Sequence, residues 1–146
     1  MKHLDIGSGL KPENPYGAHK LYGIDIQDNI HNIPNYKSVN LFTNKIPFDG
    51  EFFDSISAFD FLEHVPRVWI RDNGQSSFPF IDLMNEIHRV LKPKGKFYAM
   101  TPFFPKHEAF QDPTHVNIIT KKTHEYFCGD TCYGKYYGFL GNFKKI

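Results

Sequence analysis

The segment Leu4-Asp5-Ile6-Gly7-Ser8-Gly9 constrains this chain more than any other. It reads as an apolar strand running into a glycine turn, and Tyr22-Gly23-Ile24-Asp25-Ile26 reads as a second strand closing on a carboxylate. Glycine tolerates φ > 0 and lets a backbone approach a ligand closely, while an Asp ending the second strand can accept from both hydroxyls of a ribose. The combination predicts an α/β fold with a nucleoside site. A lone Gly-x-Gly is weak by itself, so the rest of the chain has to decide.

The remaining segments agree. His3 to Ile6, Leu21 to Ile26, Asp54 to Phe59 and Lys96 to Thr101 are short apolar runs bounded by Gly, Pro or Asp, the pattern of strands, with Lys37 to Asn40 a weaker candidate. Phe80, Leu83, Met84, Ile87 and Leu91 recur at helical spacing, with Ser76, Ser77 and Pro79 as a start signal and Lys92-Pro93-Lys94-Gly95 as a stop. Strands alternating with crossovers predict a mainly parallel, Rossmann-like α/β sheet with helices on both faces. Pro12, Pro15 and Gly17 rule out a long first crossover helix. Only one more β-rich segment, Tyr133 to Ile146, follows Thr101, so the sheet is expected to be abbreviated at that end too. The 146 residues are read as one domain.

Four blocks resemble the class I S-adenosylmethionine-dependent methyltransferases, in that family's order. Leu4 to Gly9 is similar to its first motif and Gly23-Ile24-Asp25-Ile26 to its second; Phe53 to Val65 resembles its fourth strand and following turn, and Met84 to Phe97 its next helix and fifth strand. The resemblance implies an S-adenosylmethionine cofactor held by Asp5, Gly7, Gly9, Asp25, Ile26, Asn40, Leu41, Ala58 and Phe59. It implies an enzyme that moves a methyl group to an O or N nucleophile on a small or polymer-attached acceptor. Two departures stand out: Lys11 replaces a third glycine, and Asn40 stands where an Asp is common. A cofactor-binding domain without catalysis, acting within an assembly, is the alternative. A nicotinamide oxidoreductase fits the Asp5-x-Gly-x-Gly form less well.

Phe103 to Asn117 is a loop rich in Pro, aromatic and ionisable residues after the last parallel strand, where open α/β sheets bind ligands. Its Asp112-Pro113-Thr114-His115 element resembles the acceptor side of some methyltransferases, which makes Asp112 and His115 the catalytic candidates; a self-capped turn at Asp112 is the structural alternative. Trp69, Ile70 and Arg71 ahead of a Gly/Ser stretch read as a lid over that edge or as an ordinary surface loop. If a helix begins near Asp60, Asp60, Glu63 and His64 share one face that His107 or His115 could reach, a set suited to a divalent ion. Helix capping explains the same residues more simply, and no metal is assigned.

Composition narrows the setting. Apolar and charged fractions of 40% and 23% are those of an ordinary globular protein, and no apolar run approaches the ~20 residues of a membrane span. No membrane or nucleic-acid partner is indicated, and Met1 leading directly into a strand makes the cytoplasm the expected location. His124, Cys128 and Cys132 form a three-ligand series short of a structural zinc site, so the cysteines are read as reduced thiols. The first half of the chain is acidic, which suits a cationic cofactor; the second is basic, with Lys106, Lys121, Lys122, Lys144 and Lys145, which favours an anionic acceptor. An unpaired sheet edge near Tyr136, Tyr137, Phe139 and Phe143 would invite a homodimer.

Overall fold

A computed structural model describes residues 1–146. Its centre is a five-stranded sheet in the order β3-β2-β1-β4-β7, built from β1 (Lys2–Ile6), β2 (Lys20–Asp25), β3 (Tyr36–Ser38), β4 (Phe53–Phe59) and β7 (Leu91–Met100). Every pairing in it is parallel. A small antiparallel hairpin, β5 (Trp69–Ile70) with β6 (Ser76–Ser77), lies between β4 and α1 (Pro79–Val90), and α2 (Glu108–Gln111) is a single turn. The Rossmann-like parallel sheet expected from the sequence is present.

The helical cover differs from expectation. α1 is the only helix longer than two turns; Pro79 occupies its first turn, and Phe80, Leu83, Met84, Ile87 and Val90 are buried against the sheet. Each such side chain stabilises the fold by about 1.5–3 kcal/mol. Ser76 and Ser77 belong to β6 and do not cap this helix. The other face is covered by irregular chain, because prolines 12, 15 and 34 deny a helix its backbone donors. Two asparagines brace these crossovers instead. Asn14 accepts from the Ala18 amide and donates to the Ala18 carbonyl, and Asn29 does the same with Ile33. Tyr16 then lies over His3, and Pro12 sits where a Cβ on Gly23 would be, 2.5 Å away.

Strand parity divides the sheet chemically. Leu4, Ile6, Ile24, Ile56 and Ala58 are fully buried hydrophobic residues. The alternate positions carry a buried polar chain: His3 Nδ1 meets Ser55 Oγ at 2.8 Å, His3 Nε2 meets Ser57 Oγ at 2.8 Å, and Ser57 Oγ donates to Asp5 Oδ1 at 2.6 Å.

The tail corrects a second expectation. Tyr133–Tyr137 is a 3₁₀ helix rather than a strand, and a lone bridge between Cys128 and Phe143 is its only β pairing. Gly134 packs where a Cβ would lie 2.5 Å from the Tyr126 carbonyl, and Gly138 turns the chain with φ 95°, so the segment coils. Phe139 enters the core beside Phe127, and Phe143 lies near Phe97 of β7.

Candidate functional site

The strand order reverses at β1, whose neighbours β2 and β4 lead away in opposite directions. Open α/β sheets bind ligands in the crevice outside the carboxyl ends of the strands at such a point. Four segments emerge there: Gly7 to Gly9 after β1, Ile26 after β2, Asp60 to His64 after β4, and Thr101 onward after β7.

The glycine turn is fixed by backbone. The Gly7 and Ser8 amides both donate to the Ile24 carbonyl, at 2.9 and 3.2 Å. Gly7 has φ 67°, and a Cβ on it would fall 2.4 Å from the Phe61 ring, so only glycine fits. Gly9 has φ 52° with open space where its Cβ would be, which leaves that part of the turn free for a ligand. Asp25 closes the far side: its Oδ2 accepts from the Gly9 amide at 2.9 Å and its Oδ1 from the Gln27 amide at 3.0 Å.

Asp5 acts from beneath. Its Oδ1 accepts from Ser57 and its Oδ2 from the Glu13 amide at 2.8 Å, so its part is to hold the glycine loop to the first crossover. Burial pushes its pKa up to about 6 against the pull of those two hydrogen bonds, and burial of His3 takes that imidazole down to about 4. Among the other expected cofactor residues, Ile26 is exposed, Leu41 and Ala58 are buried, and Phe59 is half-buried beside Tyr98. Asn40 spends its Oδ1 on the Phe42 amide, shaping the turn that follows.

The acceptor-side candidates do converge. Leu62–His64 is one 3₁₀ turn, and the loop after β7 is stitched to it. The Val116 and Asn117 amides donate to the Glu63 carbonyl at 2.9 and 2.8 Å, and Asn117 Nδ2 donates to the Leu62 carbonyl at 3.1 Å. Arg67 holds Asn117 Oδ1 at 2.6 Å and also reaches the Ile118 carbonyl. The Glu63 side chain is buried; Thr101 donates to its Oε2 at 2.7 Å, while its Oε1 has no partner. His115 Nε2 stands 4.0 Å from that oxygen and 3.9 Å from Asp112 Oδ2, and the His64 and His115 rings meet edge-on at 4.8 Å.

Asp112 also forms the turn foreseen as its structural role, accepting from the Thr114 amide and hydroxyl at 2.8 and 2.6 Å. Those bonds hold its carboxyl below the usual range. Asp60 stays out of the cluster, because the chain passes it in the left-handed region at φ 45° instead of starting a regular helix. His107 is highly exposed and pairs with Glu108. Trp69 and Arg71 line a separate cleft of about 790 Å³ against α1 and Gly141, which shares only Leu41 with the expected cofactor residues. Cys132 is buried with its thiol directed at the Tyr126 carbonyl, and it makes no metal cluster with Cys128 and His124.

A parallel sheet with a glycine turn and a facing Asp at its switch point defines an α/β domain with an open crevice at the carboxyl ends of its strands. The chain belongs to the methyltransferase-domain family, which matches residues 1–125. No curated protein sequence matches it. Solved structures share the fold: a SAM dependent methyltransferase from Archaeoglobus fulgidus aligns at 15% identity over 94% of this chain and 60% of its own, with a TM-score of 0.62. The YcgJ protein of Bacillus subtilis aligns at 20% identity over 83% and 56%, with a TM-score of 0.58. The 4+2 cyclase SpnF, at 19% identity over 83% and 46%, has a TM-score of 0.57. This chain therefore spans less than two thirds of each, and the cyclase shows that the fold alone does not fix the reaction.

Proposed function

We propose that this protein binds S-adenosylmethionine at the Gly7–Gly9 turn and Asp25, and transfers its methyl group to an O or N nucleophile on a small or polymer-attached acceptor. The observation that carries the reading is the Gly9 amide bonded to Asp25 Oδ2 across the switch point, beside open space above Gly9. Asp25 would receive the ribose hydroxyls, with Ile26, Asn40 and Leu41 bordering the base and Ala58 and Phe59 lying below. The cofactor supplies a methyl carbon already activated by its sulfonium, so the protein's main tasks are alignment and exclusion of water. His115 and Asp112 face the acceptor, and the unprotonated imidazole nitrogen takes up or orients the acceptor's proton.

Calorimetry with S-adenosylhomocysteine tests the cofactor half: wild type should bind one molecule per chain, and Asp25→Ala should bind far more weakly. Equal affinities would remove the assignment, and tight binding of a dinucleotide would replace it with an oxidoreductase. No helix here is long and apolar enough to cross a membrane. β7 ends the sheet with β4 as its sole partner, and Tyr98 and Met100 on it are exposed, so we also propose pairing of two chains along this edge. Light scattering that gives the mass of one chain at every concentration would overturn the dimer.

A further inference from the structure

The cluster below the acceptor loop contains more lone pairs than protons. Thr114 has one hydroxyl proton and gives it to Asp112 Oδ1 at 2.6 Å. Its contact with His64 Nδ1 at 3.0 Å therefore makes that nitrogen the donor, leaving Nε2 of a neutral His64 with a free lone pair. His115 Nδ1 faces the Ala109 carbonyl at 3.3 Å, an acceptor only, so its proton is also on Nδ1 and Nε2 is bare. That Nε2 stands 4.0 Å from Glu63 Oε1, the buried oxygen with no partner, and 3.9 Å from Asp112 Oδ2. His115 Nε2, Glu63 Oε1 and Asp112 Oδ2 thus gather with no donor between them. A water molecule could donate to only two of them. Arg67, on the same segment, is already committed to Asn117 and Ile118.

We propose that Glu63, His64 and His115, with Asp112 at the rim, bind a divalent first-row transition-metal ion. One ligand atom from each of the first three lies within 4.8 Å of the others. Ligands about 2.1 Å from a tetrahedral metal stand about 3.4 Å apart, so the 4.0 Å gap closes by roughly 0.6 Å and the widest by roughly 1.4 Å, within reach of side-chain rotation. The Nδ1–H bonds of both histidines, to a carbonyl and to a hydroxyl, are the outer contacts that orient metal-binding imidazoles. Two imidazoles with carboxylate favour manganese, iron or zinc over magnesium or calcium, which take all-oxygen sites.

Binding stands on these contacts alone; its use in catalysis rests on the methyltransferase reading. In that use His115 would serve as a ligand in place of the proton-accepting role given above: the ion would hold an acceptor hydroxyl, whose proton leaves to solvent; the oxygen then attacks the methyl carbon, and sulfur keeps the bonding pair as a neutral thioether.

The test is a manganese titration of the untagged, chelator-stripped full chain, followed by loss of the free-ion EPR signal, with zinc added as competitor. One site per chain is expected, displaced by zinc. Affinity should fall at least about tenfold in Glu63→Gln and in His115→Ala, the size of effect that even outer contacts produce, and stay unchanged in His107→Ala and His124→Ala. If the buried Glu63 variant does not fold, His64→Asn carries the same expectation. No stoichiometric site, or one indifferent to these substitutions, overturns the proposal. S-adenosylhomocysteine affinity is measured on the same stripped protein. Intact cofactor binding without a metal site removes only the ion; a metal site without cofactor binding removes only the methyltransferase.

Discussion

The two halves of the crevice are built on opposite plans. At the ends of β1 and β2 every carboxylate oxygen of Asp5 and Asp25 already has a protein donor, supplied by the backbone amides of Gly9, Glu13 and Gln27 and by the Ser57 hydroxyl. At the ends of β4 and β7 the donors run out, and Glu63 Oε1 is buried with nothing to accept from. The first half is preorganised: a ligand exchanges one set of hydrogen bonds for another. The second is incomplete, and whatever enters it must bring positive charge or protons. A nucleoside cofactor suits the former, and a reacting acceptor the latter.

The largest effect that would test this contrast is at Gly7. Gly7→Ala places a Cβ 2.4 Å from the Phe61 ring on a residue at φ 67°, so strain and overpacking should together cost roughly 2–5 kcal/mol in urea denaturation. Adding Phe61→Ala should relieve the steric part and leave the backbone part. If Gly7→Ala is as mild as Gly9→Ala, which has open space, the turn is not the rigid floor described here.

The buried polar chain beneath the turn has an opposed pH dependence. Asp5 holds its proton more tightly when folded, at about 6 instead of 3.8, so its contribution to stability is present at low pH and is lost as pH rises through that window. His3 titrates near 4 instead of 6.5 when folded, so its contribution is lost as pH falls. Each amounts to at most about 3 kcal/mol, and they nearly cancel between pH 4 and 6. Asp5→Asn should expose the His3 slope, with stability decreasing from pH 6.5 to 4; His3→Gln should expose the reverse. Parallel, flat profiles in both variants would show that the two groups are not the buried pair that anchors the loop.

Asp25→Ala comes next, with an expected loss in S-adenosylhomocysteine affinity of about 1.5–3 kcal/mol per charge-assisted bond and little loss of stability, since Asp25 is half-exposed. On the other half of the crevice, His115→Ala should lower methyl transfer with cofactor affinity unchanged. A fall in both would mean that the two halves are not separable.

What the sequence disclosed follows the same division. The glycine turn, Asp25 and the parallel sheet were legible because they depend on residues close in the chain whose backbone demands are characteristic: a strand, a positive φ, a strand-end carboxylate. The prolines at 12 and 15 correctly excluded a first helix, but the Asn14 and Asn29 side chains that replace helical bonds carry no periodic signal. The acceptor half was only partly legible. Glu63 and His115 stood out as residue types, yet Asp60 looked like their companion because regular helical spacing was assumed, and the chain makes a single 3₁₀ turn there. Asn117 and Thr101, which hold Glu63 in place from about fifty and forty residues away, were invisible, since only the fold brings them together. The tail failed for a related reason: aromatic β formers lost to glycines packed against backbone.

The smallest expected change decides the role of Asp112. Its Oδ1 accepts both Thr114 bonds, and an amide oxygen can accept the same two, so Asp112→Asn keeps the turn while removing the charge beside His115. The carboxylate is exposed, so the thermal unfolding midpoint should be unchanged. If Asp112 only shapes the turn, methyl transfer will also be unchanged. If it serves the acceptor side, activity should fall while the fold stays intact. An unaltered rate would reduce Asp112 to a turn residue and leave Glu63 and His115 as the working pair.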